Sequence, residues 1–529
     1  MSKEKNSNAP VHWADQTAKN IIREKGDKDK YTIAAGITPS GTIHIGNFRE
    51  VITIDLINRA LKSINKEVRF IYSWDDYDVF RKVPKNMPQQ DMLKTYLRKP
   101  ITSIPDPFGK EENYARHNEL EFEKELPKMG ISPEFIQQSK QYKESKYAEE
   151  MKTALEKTDK IKEILNNHRK EPLEDEWLPV TLFCEKCGCD DNPKIEYKGD
   201  YNLAYECKCG HKDEFDFREK GIAKLKWRVD WPARWHHEKV DFESGGKDHF
   251  AAGGSFDTCK EIVKEVYNHD APTSMRYEWI AIKGKGQFAS SSGVVITLKE
   301  IMEIYEPSLV RWFFASTRPT AEFEISFDLD VLKYYEDFDM CERIYYKKEK
   351  GMDEKEQAKQ SRIYELSSVK LNKEMPFQPS IRHLTTIYQL YQGNLENIKE
   401  FYKDELKTKE DEERLLLRAE CVKNWLKQYA PEAMKFEVQK NVSDETKAEL
   451  ADNQKKSLKI LKERLEKNDY TEDSLYNDFM NICKEADVKP GEFFQAAYKT
   501  ILNKDRGPKL AGFIILIGID KVIELLGQI

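Results

Sequence analysis

The chain has 529 residues, enough for roughly three to four domains. With 34% charged residues and a formal net charge of −7 it reads as a soluble acidic protein, and bulk charge gives no argument for nucleic-acid binding, which would need a local basic face. The polar start MSKEKNSNAPVHW lacks the apolar core of a signal peptide, and the longest late apolar run, Leu510 to Ile519, is far below the ~18 residues that span a bilayer, so no membrane association and a cytoplasmic location are expected.

Apolar spacing over Trp13 to Arg23 predicts an amphipathic helix leading into a strand, Tyr31 to Ile37, whose β-branched and apolar content fits a buried parallel strand. Pro39, Ser40 and Gly41 break that strand, and a helix is expected to start near Thr42 or Ile43 and to run to Lys62. Strand, glycine-bearing turn and helix start is the order in which an α/β fold builds a phosphate site, with free N–H groups and the positive helix end facing an anion. His44 and Asn47, three apart, share one face there, and both side chains can donate to phosphate oxygens. A lone histidine would more simply cap or pack the helix. Gly36, Gly41 and Gly46 around it favour the ligand reading, because they permit close backbone approach. A second buried strand, Val68 to Ser73, ends at Trp74-Asp75-Asp76-Tyr77-Asp78, which places carboxylates beyond the C-terminal end of a parallel strand, where ligand crevices open.

From about Pro84 to roughly Lys220 the sequence reads as an insertion, with a proline-punctuated link followed by long, charged helices from Ala115 to His168. Of the nine cysteines, five fall between Cys184 and Cys209, which points to a metal rather than a disulfide framework. Cys184-x-x-Cys187 and Cys207-x-Cys209 can deliver four thiolates in a tetrahedron suited to Zn²⁺, with Cys189 and His211 as spare ligands; a site with four protein ligands is structural, not catalytic.

Trp227 to Trp235 carries three tryptophans in nine residues, with Arg228, Asp230 and Arg234 interleaved. Such aromatics fill a core or present an indole face to a cationic amine, a contact worth ~1 to 2 kcal/mol when desolvated. A strand, Tyr277 to Ile282, leads into a Lys283-Gly284-Lys285-Gly286 turn and the serine run Ser290-Ser291-Ser292. Glu303 to Arg318 and Phe323 to Tyr335 predict a compact helical connector. Beyond Lys347 the sequence is almost wholly helix-forming, with breaks at Pro376 to Pro379 and Val442 to Glu445.

GITPSGTIHIGN resembles the HIGH signature of class I aminoacyl-tRNA synthetases, in the HIGN form of the class I lysyl-tRNA synthetases, and HWADQTAKNII, WRVDWPARW and GGKDHFAAGGSFD resemble the same family in the same order. The resemblance covers most of the first 330 residues. It implies an α/β Rossmann-like (HUP-type) catalytic domain in residues 1–85 and 221–300, interrupted over 86–220 by a zinc-binding domain for the tRNA acceptor end, with its zinc ribbon at 184–211. A stem-contacting connector over 301–370 and an all-α anticodon-binding domain over 371–529 would follow. The implied reaction joins L-lysine to tRNA(Lys) through a lysyl-adenylate, with ATP as substrate, Mg²⁺ on its triphosphate, no DNA partner, and lysine activation dependent on tRNA.

By the same resemblance His44, Asn47, Ser290, Ser291 and Ser292 carry the chemistry, while Thr38, Ser40, Gly46, Gly253, Gly254 and Asp257 bind ATP. Gly36, Thr38, Trp227 and His249 line the lysine subsite. The serine run sits where the family's KMSKS loop lies but departs from it: Phe288 and Ala289 stand where Lys-Met is expected, so Lys285, or failing it Lys283, is the nearest cation for the triphosphate. The competing readings are a glutamyl-type class I synthetase, which needs a cationic side chain in the substrate pocket, a nucleotidyltransferase with a similar His-x-Gly site, and a non-catalytic zinc-ribbon RNA-binding paralogue.

Overall fold

The computed structural model describes residues 12–284, 286, 287 and 295–529. The chain divides into two compact units, Met1–Ile325 with Met340–Lys373, and Ser326–Asp339 with Glu374–Ile529.

The first unit is organised on a five-stranded, all-parallel sheet of β1 (Lys30–Ile37), β2 (Glu67–Trp74), β3 (Glu134–Gln137), β4 (Phe242–Gly246) and β5 (Thr273–Tyr277) in the order β5-β4-β1-β2-β3. Tyr31, Ile33, Ala34 and Ala35 of β1 are all buried, as expected of a central strand covered on both faces. Helix α1 (Trp13–Lys25) buries Ala14, Thr17, Ala18 and Ile21, a stripe at helical spacing. Helix α2 (Ile45–Ser63) follows β1, and the strand order reverses between β1 and β4, so the crevice of a doubly wound sheet opens at the C-terminal ends of those two strands. Gly36 faces Ser73 in the β1–β2 register, and a Cβ there would lie 2.7 Å from the Ser73 carbonyl oxygen, so only glycine allows the strands to close at this end.

Several elements differ from the sequence expectation. Helix α2 begins at Ile45 rather than at Thr42 or Ile43, because His44 caps it in extended backbone. The stretch Ala115 to His168 is not a run of long helices but the short ones Tyr114–Glu123, Gln138–Lys143, Ala148–Glu156 and Thr158–Asn166, with the sheet strand β3 among them. That strand lies within the 86–220 stretch and has only four residues, too few for periodicity to reveal. Tyr277 to Ile282 is two strands, the end of β5 and Ile280–Ile282, which belong to different sheets. Phe323 to Tyr335 contains a strand, Phe323–Ile325, before its helix Asp330–Tyr345.

The second unit is helical. Leu458, Leu461 and Leu465 of helix Asp452–Lys467 pack in one core cluster with Leu475, Phe479 and Ile482 of helix Glu472–Ala486 and Phe493 and Ile501 of helix Pro490–Leu502. Helix Lys409–Gln428 starts with a reciprocal cap between Thr408 and Asp411 and buries Arg418 against Asp339.

Candidate active site

A cavity of about 1060 Å³ opens at the C-terminal ends of β1 and β4, and Gly36, Thr38, Ser40, His44, Gly46 and Asn47 all line it. His44 is the N-cap of α2: its Nδ1 accepts the Gly46 N–H at 3.1 Å, and Asn47 Oδ1 accepts the His44 N–H at 3.2 Å. With Nδ1 engaged as an acceptor, the neutral ring carries its proton on Nε2, a hydrogen-bond donor. Burial brings the His44 pKa down to about 4, so the ring is neutral at physiological pH. The capping reading of His44 holds, and the same cap fixes the tautomer of a side chain on the cavity wall.

One turn further along α2, Glu50 lines the same cavity; its carboxyl accepts the Gly36 N–H at 3.1 Å and the Tyr277 hydroxyl at 3.3 Å. Burial pushes its pKa up to about 8, against the Gly36 hydrogen bond and with the neighbouring Glu243 adding to the rise. Glu243, also on the wall, accepts the Trp235 indole N–H at 2.5 Å and is itself pushed up by burial. The sequence signal that could have found Glu50 is its spacing: His44, Asn47 and Glu50 recur every three residues on one helical face.

The three aspartates after β2 separate. Asp75 pairs with Arg234 at 2.6 Å, and Arg234 also reaches Asp230 at 3.3 Å and the Ser73 hydroxyl at 3.1 Å. Asp78 pairs with the buried Lys224 at 2.5 Å and accepts the Thr38 hydroxyl at 3.0 Å. Burial works to raise the Asp78 carboxyl, but Lys224 and Thr38 outweigh it and hold it below the usual range. Both line the cavity, whereas Asp76 is not on its wall and accepts the amide and hydroxyl of Ser139 in the first turn of helix Gln138–Lys143.

An aromatic part of the lining comes from helix α3 (Trp227–Glu238) and the turn after β4. Trp227 stacks on Trp231 at 5.1 Å, and His249 lies 6.1 Å from Trp227 and 5.5 Å edge-on to Trp231. Trp231 is 5% exposed and Trp227 37%, so Trp231 is the packed residue and Trp227 the one that presents a face. Gly253, Gly254 and Asp257 are not on the cavity wall. Gly253 has φ +70°, its N–H goes to Asp257 at 3.0 Å, and Gly254 caps helix α4 (Ser255–Glu265), so the three shape the turn that starts this helix. Lys285, Ser290, Ser291 and Ser292 lie outside the described residues.

Away from the cavity, the sulfurs of Cys184, Cys187, Cys207 and Cys209 lie within 4.8 Å of one another, a group able to hold a metal ion. Two turns present them: Gly188 N–H returns to Cys184 O at 2.7 Å and Gly210 N–H to Cys207 O at 2.8 Å, both glycines having positive φ. The spare candidates stay outside the group: Cys189 Sγ contacts the Cys187 carbonyl at 3.8 Å, and His211 contributes its carbonyl to the Cys207 N–H at 2.8 Å.

Residues 11–370 match the family model described as tRNA synthetases class I (K), and residues 390–528 match an anticodon binding domain. The chain belongs to the class I lysyl-tRNA synthetase family. Curated relatives agree along the whole length: the lysine–tRNA ligase of Borreliella burgdorferi is 48% identical over 97% of this chain and 98% of its own, that of Treponema pallidum 42% over 98% of each, and that of Pyrococcus horikoshii 41% over 98% and 99%. For a class I lysyl-tRNA synthetase, the cavity brings together eight of the residues expected from sequence, namely Gly36, Thr38, Ser40, His44, Gly46, Asn47, Trp227 and His249.

Proposed function

We infer that this protein joins L-lysine to the 3′-terminal adenosine of tRNA(Lys) at the expense of ATP. The observation that carries the reading is one cavity whose lining brings together the His44 helix start, Trp227 and His249, and the acidic side chains Glu50, Asp75, Asp78 and Glu243. Lysine enters with its alkyl chain along Trp227 and an ammonium group beside Glu50 and Glu243, whose ionisation its charge would favour. Its α-carboxylate, held near Gly36 and Thr38, attacks the α-phosphorus of ATP; the bond to the bridging oxygen breaks and pyrophosphate leaves. A terminal ribose hydroxyl of tRNA then attacks the carbonyl carbon of the adenylate, and AMP leaves. The chain supplies no covalent nucleophile. His44 Nε2–H, the Asn47 amide and the positive end of α2 stabilise charge developing on phosphate oxygens, and the walls fix the reactants in line. Mg²⁺ belongs to the ATP complex as substrate. Cys184, Cys187, Cys207 and Cys209 would hold a structural Zn²⁺, whose preference for four thiolates matches this group. A translation enzyme of this kind works in the cytoplasm.

A glutamyl-type site would have to stabilise a carboxylate side chain. Here the buried cations Lys224 and Arg234 are already paired with Asp78 and Asp75, the other cations of the lining lie on segments separate from that of Trp227's partner His249, and Glu50 and Glu243 bring no positive charge to a carboxylate. Charging bulk tRNA with each amino acid separately tests the reading. Lysine alone should be transferred; transfer of glutamate, or of nothing, would overturn it.

A further inference from the structure

Lys224 is a buried cation on the cavity wall to which the reaction so far gives no task. It is the middle residue of the strand Ala223–Leu225, which pairs antiparallel with Val180–Leu182, Thr181 opposite Lys224, two residues before Cys184. The Phe183 N–H extends the pair onto the Ile222 carbonyl at 2.9 Å, and the Leu225 N–H donates to the Tyr142 hydroxyl at 3.3 Å. Only 5% exposed, Lys224 reaches from this strand to Asp78, its ammonium pairing with that carboxylate at 2.5 Å and lying 5.8 Å over the Tyr142 ring. Burial works against its charge, but Asp78, with Asp230 and Asp75 behind it, holds its pKa above the ordinary lysine value, so the side chain is an ammonium at physiological pH.

The two oxygens of Asp78 divide their partners. Oδ1 takes the Lys224 ammonium, and Oδ2 accepts the Thr38 hydroxyl at 3.0 Å. An ionised carboxylate only accepts, so the single hydroxyl hydrogen of Thr38 is committed to Asp78, and the hydroxyl can meet a ligand only through its lone pairs. The Asp78 main chain is fixed as well: its N–H returns to the Asp75 carbonyl at 3.3 Å, and its own carbonyl accepts the Ile101 N–H at 2.9 Å. Beside this pair, Arg234 is shared between Asp75 and Asp230, so the network sets three carboxylates, Asp75, Asp78 and Asp230, against two cations, Lys224 and Arg234. A further cation is what this end of the cavity lacks. Of the two groups on the substrate's α-carbon, an acceptor hydroxyl in such surroundings suits the ammonium, and Glu50 and Glu243 are left for the side-chain ammonium.

We propose that Lys224 is a positioning residue for lysine binding: it holds Asp78 in place, and through Asp78 keeps the Thr38 hydroxyl an acceptor for the substrate α-ammonium. Lys224 itself touches no reacting atom, and the α-carboxylate stays free to attack phosphorus, because the contact is made to its neighbour on the α-carbon. The strand that carries Lys224 thereby links the cysteine-bearing segment to the lysine subsite. The assignment rests on the lysine–tRNA ligase reading, which charging by the parent protein tests separately.

The test follows lysine-dependent ATP–pyrophosphate exchange with tRNA present. Its competitive inhibitor is ε-aminocaproate, which keeps lysine's carboxylate and side-chain ammonium but has no α-ammonium. Lys224→Met should raise the KM for lysine about 10-fold, as loss of a hydrogen bond to a charged group does, while kcat, the KM for ATP and the inhibition constant of ε-aminocaproate stay within about 2-fold of the parent. Thr38→Val should do the same, and adding Lys224→Met to it should raise the lysine KM no further, because both act through one hydroxyl. Lys224→Met/Asp78→Leu removes the pair together and leaves neither charge buried alone, so it should reproduce the raised lysine KM even where the single change unfolds. An inhibition constant for ε-aminocaproate that rises in step with the lysine KM would make Lys224 a structural brace and overturn the proposal. An unchanged lysine KM, or a full further loss from Lys224→Met in the Thr38→Val background, would overturn it too.

Discussion

His44 Nδ1 accepts the amide N–H of Gly46 at 3.1 Å, which ties the histidine's tautomer to the helix it caps. Burial lowers its pKa from 6.5 to about 4. Between those values the unfolded chain binds a proton that the folded one refuses, so stability falls as pH drops through this window, by ~3 kcal/mol once pH is below 4, and is unaffected above pH 6.5. His44→Gln should flatten the pH dependence of the urea midpoint over that range. His44→Ala should lower kcat for lysyl-adenylate formation ~10²-fold, and lose ~1 kcal/mol of stability with the cap.

Trp227 and Trp231 stack at 5.1 Å on the cavity wall, Trp227 as the exposed member of the pair and Trp231 as the buried one. Trp227→Ala should therefore raise the KM for lysine far more than that for ATP, with ~1 to 3 kcal/mol lost from kcat/KM for lysine. Trp231→Ala should instead act mainly on stability, by ~3 to 5 kcal/mol. Equal effects of Trp227→Ala on both substrates would make it a core residue.

How much of this site could be read from the sequence depended on whether its chemistry was local. The strand–turn–helix at Tyr31 to Ser63 was legible, because glycines, a proline and the apolar run act over a few residues. The helix start was misplaced because histidine is a weak N-cap by type, and the cap here is decided by its Nδ1 meeting Gly46. The cysteine group was legible from spacing, and its four ligands were separable from Cys189 and His211 only once the two turns were folded. Gly253, expected by resemblance at ATP, sits with Gly254 in the turn before α4, and its positive φ accounts for a glycine there whether or not a ligand is near. Glu243 and Lys224 reach the same cavity as His44 from sequence separations that no local pattern carries, and β3 pairs with β2 through four residues alone.

The four sulfurs lie within 4.8 Å of one another, so removal of one opens the candidate metal site. Cys184→Ser and Cys207→Ser should each lose about one zinc ion per chain by elemental analysis and loosen the knuckle that Asp190 ties to Arg98. tRNA charging should suffer more than adenylate formation. Metal-free wild-type protein purified without chelator would end the zinc assignment.

Arg311 is fully buried and joins three stretches of the first unit: it pairs with Asp55 at 2.7 Å and donates to the carbonyls of Met129 and Ser367 at 3.0 and 3.1 Å. Truncation leaves a buried carboxylate and three carbonyls, the third that of Leu366, without this partner. Arg311→Ala should cost ~3 to 5 kcal/mol in denaturant unfolding, whereas Arg311→Ala with Asp55→Ala should cost less than the sum of the two single changes.

Glu50 titrates in the opposite sense to His44. Its pKa is raised from 4.5 to about 8, so the folded protein keeps a proton that the unfolded chain loses, and stability falls as pH rises through that window. A lysine ammonium beside Glu50 reverses the balance, because the nearby positive charge favours the carboxylate. Lysine binding at pH 7 should then release a proton, measurable by calorimetry in two buffers of different ionisation enthalpy. Glu50→Gln keeps one oxygen to accept the Gly36 N–H and turns its amide NH₂ to the Tyr277 hydroxyl oxygen, but it has no proton to lose, so it should bind lysine more weakly and release fewer protons. Undiminished proton release by that variant would move the titration to Glu243, the other carboxyl on this wall that burial pushes up.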